Sequence, residues 1–155
     1  DEYEHILQKV CLIALKLKKK LIIKLHPHVN ELNETKIAKS INPNIEIIKE
    51  GDMTSLIKSC SLFITSGITS AMLDAAFFEK PIIRIETREW WGQIDTLRNK
   101  SAVTTTIDDL GNVINKIFSN SEYFQTIIKN GENFLNDCLA NQGNASKLFP
   151  QSLNN

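Results

Sequence analysis

The stretch SGITS, residues 66–70, contains the residue types best suited to bind an anion. Gly67 permits a tight turn or the close approach of a ligand to the backbone. Ser66 or Thr69 can cap the helix that follows, and N–H groups at a helix start attract phosphate. Ser70 adds a further hydroxyl group. The loop therefore predicts a phosphate or nucleotide site, although the same residues also make an ordinary helix cap.

A second candidate group follows the apolar run LIIKL, residues 21–25. His26 can donate a hydrogen bond to a phosphate or act as a general acid near neutral pH. Pro27 restricts the direction of the chain after it. His26 and His28 are spaced suitably for a metal, but no third ligand is evident, and no metal is expected. The alternative is that His26 is structural or simply solvated.

Further polar and aromatic side chains follow the other apolar runs. Asp74 lies four residues after Ser70 on the same helix face, where its carboxylate can accept a hydrogen bond from a ribose hydroxyl. The possible contacts of a sugar or base are Glu50, Thr87, Arg88 and Trp90. The chain has no G-x-S-x-G, P-loop or G-x-G-x-x-G motif, and no nucleophile–base pair is apparent.

Short apolar runs that alternate with helical patterns position these groups. Apolar residues at helical spacing predict a first helix over residues 4–19. Strands are predicted at residues 21–25, 45–49, 61–65 and 81–85, with a shorter fifth at 101–105. This alternation predicts an α/β fold, a doubly wound parallel sheet of four to five strands flanked by helices. Ligands bind such sheets at the carboxyl ends of the strands, where the candidate loops lie.

Helix starts are predicted from residues that favour N-caps. The predicted caps are Asn33, Asp52, Thr106 and Ser121, and a last short helix is predicted over residues 145–149.

Composition restricts the classes of partner. The chain has 155 residues, with 18 basic and 18 acidic side chains, so its formal net charge is zero. Nucleic-acid binders usually carry a basic excess, so no nucleic-acid partner is expected. The one basic cluster, KLKKK at residues 16–20, fits the negative end of a helix dipole. Three distant cysteines without a CxxC motif indicate buried thiols and a reducing, cytoplasmic setting. No transmembrane segment or signal peptide is apparent.

The order and spacing of these motifs resemble the C-terminal half of GT-B-type glycosyltransferases. The similarity is greatest to enzymes of surface or capsular carbohydrate synthesis: bacterial sialyltransferases, capsule-chain transferases and CDP-glycerol glycerophosphotransferases. The matching residues are His26-Pro27, Thr69-Ser70 and Asp74. EKPII, residues 79–83, is similar to a GKPVI strand, with Glu79 where glycine is usual, and residues 134–148 resemble the closing helix of the group.

The resemblance implies that residues 1–155 are a single Rossmann-like donor-binding domain, one half of a GT-B fold. It implies that His26 and the helix start at Thr69-Ser70 hold the donor phosphate, and that Asp74 holds the ribose or neighbouring backbone. A CMP- or CDP-linked sugar is the favoured donor, without metal or other cofactor. The acceptor domain would precede this one, so the chain alone is expected to bind nucleotide weakly and to be inactive. The full enzyme would be cytoplasmic, and it could associate peripherally with the inner face of the membrane.

Two other interpretations remain open. The chain is also similar to the UDP-N-acetylglucosamine 2-epimerases, which leaves the nucleotide open between cytidine and uridine. The residues that carry this similarity are Gly67, Arg84, Thr87, Arg88 and Glu89. The third interpretation is a non-catalytic α/β module that binds a partner.

Overall fold

The computed structural model describes residues 2–26, 32–67, 69–87 and 101–139. These segments form six helices: α1 (Glu2–Lys16), α2 (Leu32–Ile41), α3 (Met53–Ser59), α4 (Ala71–Phe77), α5 (Leu110–Ser119) and α6 (Ser121–Cys138). They also form five strands: β1 (Ile22–Lys24), β2 (Glu46–Ile48), β3 (Phe63–Thr65), β4 (Ile82–Ile85) and β5 (Val103–Thr105). The predicted strands are all present but shorter, and α1 both begins and ends earlier than predicted.

The strands form two small parallel sheets. β1 pairs with β2, and β4 lies between β3 and β5 in the second sheet. The predicted alternation of helices with parallel strands is confirmed. In the described segments, however, hydrogen bonds divide the strands between a two-stranded and a three-stranded sheet instead of joining them in one.

Helix α1 packs against both sheets. Its Ile6 is buried in one cluster with Ile83 and Ile85 of β4. The next residue, Leu7, is buried in another cluster with Ala38 of α2 and with the β1–β2 strands. Neighbouring residues of a helix point about 100° apart, so one helix can present apolar side chains to two surfaces. Helix α1 thereby connects the sheets through side-chain packing.

Helices cover both faces of the three-stranded sheet. Ile83 and Ile85 of β4 pack with α1, α5 and the first half of α6. Ile82 packs instead with α3, α4 and the second half of α6. Alternation of side chains along the strand explains this division. All four β4 residues are buried, as expected for a central parallel strand. Each fully buried isoleucine stabilises the fold by about 1.5–3 kcal/mol.

The N-cap prediction at Asp52 is confirmed. Its side chain accepts hydrogen bonds from the backbone N–H groups of Thr54 and Ser55, at 3.0 and 3.1 Å. Gly51, which precedes Asp52, has a φ of +119°, which a side-chain-bearing residue rarely adopts.

Three other cap predictions are corrected. Asn120, not Ser121, caps α6, because its side chain accepts a hydrogen bond from the N–H of Tyr123 at 2.9 Å. Asn33 lies inside α2, where its side-chain amide donates to Glu4. The Thr106 hydroxyl accepts from the N–H of Asp109, the residue before α5, at 3.3 Å; it therefore closes the preceding turn instead of capping the helix. The predicted helix at residues 145–149 lies outside the described segments.

Candidate functional site

The loop between β3 and α4 begins with a tight turn. The Thr65 side chain donates to the carbonyl oxygen of Gly67 at 3.0 Å and accepts from the Gly67 N–H at 3.3 Å. Both bonds are local, as in the turns that serine and threonine side chains commonly make. The turn fixes the direction in which Ser66, which is half-buried, leaves the strand.

The backbone N–H groups at the start of α4 have partners inside the protein. Ala71 donates to the Thr69 hydroxyl at 3.4 Å, and Met72 donates to the Thr69 carbonyl oxygen at 3.1 Å. Leu73 donates to the Ser70 carbonyl oxygen at 2.9 Å. Of the two predicted caps, Thr69 is therefore the one that contacts the helix start.

The donors that this loop offers to a ligand consequently lie before the helix. The N–H groups of Thr69 and Ser70 donate no hydrogen bond to any described residue. The Ser70 side chain is exposed and makes no cap hydrogen bond. Asp74, one turn further along the helix, is exposed as well. The loop thus contains four potential hydrogen-bond donors, the N–H groups of Thr69 and Ser70 and the hydroxyls of Ser66 and Ser70.

The backbone at Gly67 is open on the side where a side chain would stand. A Cβ built there meets no atom of the described residues within 4 Å beyond its chain neighbours, and the φ of Gly67 lies outside the left-handed region. Neither backbone conformation nor internal packing therefore requires glycine at this position. The absence of a side chain leaves the main chain accessible to an external group.

The carboxyl end of β4 lies beside this loop. Thr65 is opposite Arg84 in the sheet, so the residues after β3 and β4 emerge next to each other. The Glu86 N–H donates to the Thr105 carbonyl oxygen at 2.8 Å and extends the β4–β5 ladder by one residue. Thr87 follows and is half-buried. The structure therefore brings Thr87 to the same edge as the β3–α4 loop.

His26 and Glu50 form a second pair of strand-end residues. β1 and β2 pair up to Lys24 and Ile48, and His26 and Glu50 follow as exposed side chains. The Lys24 ammonium joins the two strand ends, since it donates to the carbonyl oxygens of Lys49 at 2.6 Å and Leu25 at 3.0 Å.

The sequence analysis did not predict the bridge that Lys24 makes between the two strand ends. The available signal was a lysine inside the otherwise apolar strand LIIKL. A lysine in a half-buried strand needs acceptors for its ammonium group, and nearby strand-end carbonyls are the closest source.

Hydrogen bonding thus gives two groups of candidate residues, one at each sheet. The first comprises His26 and Glu50; the second comprises Ser66, Gly67, Thr69, Ser70, Asp74 and Thr87. Three further candidates, Pro27, Arg88 and Trp90, lie outside the described residues.

Comparison of the sequence with family models and with curated proteins finds no match. The residues described contain no cluster of three His, Cys, Asp or Glu side chains that could hold a metal ion. Each helix within these segments is too short or too polar to cross a lipid bilayer.

Proposed function

We propose that this chain is the donor-binding domain of a glycosyltransferase for surface polysaccharide or glycoconjugate synthesis, and that it binds the nucleotide of a CMP- or CDP-linked sugar. The observation that carries the proposal is the open backbone at Gly67, at the carboxyl end of a parallel strand. Parallel sheets bind nucleotides at this edge, and close approach of a phosphate requires a residue without a side chain.

The proposed site combines both groups of strand-end residues. The N–H groups of Thr69 and Ser70, with the hydroxyls of Ser66 and Ser70, donate to the donor phosphate. His26 donates from the neighbouring strand end, and Asp74 accepts from the ribose. Hydroxyl and N–H donors suit a phosphate, and no metal or other cofactor enters the proposal.

This arrangement requires β1 to lie beside β3, so that the five strands form one Rossmann-like sheet in the order β2-β1-β3-β4-β5. The packing of α1 against both sheets supports this arrangement. In that arrangement the strand order reverses between β1 and β3, and doubly wound sheets bind their ligands at such a switch point. His26 and the loop containing Gly67 would flank the switch point.

Nucleotide binding is tested by thermal unfolding with CMP, CDP, UMP, UDP and GDP. Ligand at about one hundred times its Kd stabilises the folded state by about 2.7 kcal/mol, which raises Tm by about 5–10 °C for a domain of this size. We expect the cytidine nucleotides to produce the largest increase. The chain alone should not transfer a sugar, because the acceptor site belongs to the other half of the proposed enzyme.

Gly67→Ala is the most specific variant. The added methyl group meets no atom of the described residues beyond its chain neighbours, so the Tm without ligand should not fall, while the increase caused by nucleotide is lost. Gly111→Ala, in α5, is the matched control, since the one contact of its new Cβ among the described residues is an ordinary one with Ile13 Cγ2 at 3.8 Å. This control should keep the full response to nucleotide. His26→Ala should reduce the increase in Tm that nucleotide causes.

The other possible results of these experiments favour a different interpretation or a different binding site. A larger response to uridine nucleotides would favour the epimerase interpretation. No response to any nucleotide would leave the non-catalytic module and overturn the proposal. A full response in Gly67→Ala would show that a nucleotide binds at another place.

A further inference from the structure

Arg84 is a buried charged residue in the central strand of the three-stranded sheet. It is only 8% exposed, although the other residues of β4 are isoleucines. Arginine is almost never fully buried unless it has a partner, because the removal of a guanidinium group from water is costly. Apolar packing therefore does not explain an arginine at this position.

The Arg84 side chain lies on the face of the sheet that α4 covers. Ile82 packs against α4 on that face, whereas Ile83 and Ile85 pack against the helices on the opposite face. Because side chains alternate along a strand, Arg84 shares the face of Ile82 and lies one step nearer the carboxyl end. Helix α4 begins with Ala71, which is buried in the same cluster as Ile82.

A row of polar side chains crosses the sheet at the level of Arg84. Thr65 of β3 and Thr104 of β5 are the register partners of Arg84 on its two sides. The residues that precede these threonines, Ile64 and Val103, pack on the opposite face, so both threonines project to the α4 face. The row Thr65–Arg84–Thr104 is here termed the polar row.

The polar row meets the loop of the candidate site. Behind it, two residues earlier in each strand, an apolar row packs into the core under α4: Phe63, Ile82 and Ala102. The Thr65 hydroxyl bonds to the N–H and carbonyl oxygen of Gly67, which is the first turn of the β3–α4 loop. The α4 face of the sheet therefore becomes polar and positively charged where it reaches this loop.

We propose that Arg84 supplies the positive charge that binds the donor phosphate at the β3–α4 loop, with Thr65 and Thr104 on its two sides. This inference rests on the proposed function and adds a charged residue to its site. The loop donors are neutral N–H and hydroxyl groups, and phosphate binds more strongly to a charged donor. A guanidinium group has five N–H donors in a planar fork, so contacts that Arg84 makes inside the protein leave donors for a ligand.

NMR titration of the full 155-residue chain with CDP and with inorganic pyrophosphate tests this assignment. Both ligands should shift the backbone amide signals of residues 65–71. Arg84→Met replaces the charge with an apolar side chain of similar length. It should weaken the binding of both ligands about 10- to 100-fold, as expected for loss of a hydrogen bond to a charged group. Arg84→Lys keeps the charge without the planar fork, so it should weaken binding less.

Two control variants separate this effect from net charge and from loss of a buried polar group. Lys58→Gln removes one positive charge from an exposed side chain in the last turn of α3. Ser101→Ala removes the hydroxyl of a residue that is 1% exposed and precedes β5, at the opposite end of the strand from the loop. Both controls should keep the affinity of the unchanged chain. Circular dichroism establishes that each variant is folded.

A second measurement uses the Arg84 side chain itself and remains decisive if Arg84→Met does not fold. The chain has three arginines, Arg84, Arg88 and Arg98. The Nε–H signal that persists in both Arg88→Lys and Arg98→Lys therefore belongs to Arg84. This signal should shift as pyrophosphate saturates the protein.

The results distinguish this inference from the proposed function. Unchanged affinity in folded Arg84→Met, equal weakening in Lys58→Gln, or an Arg84 signal that does not move at saturation would overturn the role of Arg84 and leave nucleotide binding intact. Binding of pyrophosphate but of no nucleotide, with loss in Arg84→Met, would support the role of Arg84 in binding an anion and overturn the proposed function. Binding of neither ligand would overturn both.

Discussion

Replacement of Glu79 by glycine should stabilise the protein. Glu79 follows α4 with a φ of +52°, in the left-handed region. Its N–H donates to the Ala76 carbonyl oxygen at 3.0 Å, and the Lys80 N–H donates to the Ala75 carbonyl oxygen at 2.8 Å. This pair of bonds is a Schellman motif, in which the left-handed position is usually glycine. The strain at Glu79 therefore comes from the helix end itself.

The expected gain follows from two opposing terms. A left-handed backbone costs a residue with a side chain about 1–2 kcal/mol. Glycine makes the unfolded chain more flexible, which costs about 0.5–1 kcal/mol. The net gain over alanine should be about 0.5–1 kcal/mol, or about 1–4 °C in Tm for a domain of this size. The alanine variant, Glu79→Ala, removes the carboxylate from the negative helix end without relieving the backbone.

Equilibrium urea unfolding measures this difference. The midpoint of Glu79→Gly should exceed that of Glu79→Ala at an unchanged slope. Lys18 provides a second, matched site: its φ is +53°, and its turn contains the same two bonds, Lys18 N–H to Leu15 and Lys19 N–H to Ala14. Lys18→Gly should therefore exceed Lys18→Ala by a similar amount. Equal midpoints for the glycine and alanine variants at both sites would refute the strain argument.

Two further predictions concern packing and pH. A Cβ at Gly131 of α6 would meet the Cβ of Ala76 at 3.4 Å, an ordinary contact, so Gly131→Ala should be neutral or stabilise by up to about 1 kcal/mol. The larger side chain of Gly131→Leu should destabilise the protein by about 1–3 kcal/mol. Equal urea midpoints for the two variants would contradict the close packing of α4 and α6. The Ser55 hydroxyl at 2.5 Å, and then the N–H groups of Thr54 and Ser55, lower the pKa of Asp52 from its usual 3.8. The contribution of ionised Asp52 to stability is therefore complete above that value and disappears as pH falls through the folded-state pKa. NMR titration should find a higher pKa of Asp52 in Ser55→Ala, and Asp52→Asn should lose this acid-side dependence of unfolding; an unchanged dependence would contradict the assignment.

The elements were predictable because their signals are local. Alternating apolar runs and helical spacing identified every strand and all six helices of the described segments. The cap of α6 was not predictable in the same way. Asn120 and Ser121 are adjacent and equally suited to capping, and only the extended backbone of Asn120 decides between them. How the strands pair was also hard to predict, because pairing depends on contacts between distant residues; in the described segments they form a two-stranded and a three-stranded parallel sheet.

The candidate loop was located correctly at a strand end, but its donors were not predicted in detail. Sequence reasoning expected the first N–H groups of α4 to be available for an anion. In the structure Thr69 and Ser70 already accept hydrogen bonds from three of those groups. Such short-range bonds at a helix start depend on the backbone of the preceding turn, which composition does not determine. The N–H groups without a partner among the described residues are therefore those of Thr69 and Ser70, before the helix.

A comparison of Gly51 with Gly67 shows why, at Gly67, an effect of substitution on ligand binding can be separated from an effect on folding. Both glycines follow a strand, yet Gly51 has a φ of +119° and Gly67 does not have a left-handed φ. A side chain at Gly51 would strain the backbone whether or not any ligand binds. A side chain at Gly67 would enter open space, so its effect on stability should be small. Loss of nucleotide binding in a Gly67→Ala protein whose Tm has not fallen would consequently report on an external ligand and not on a damaged fold.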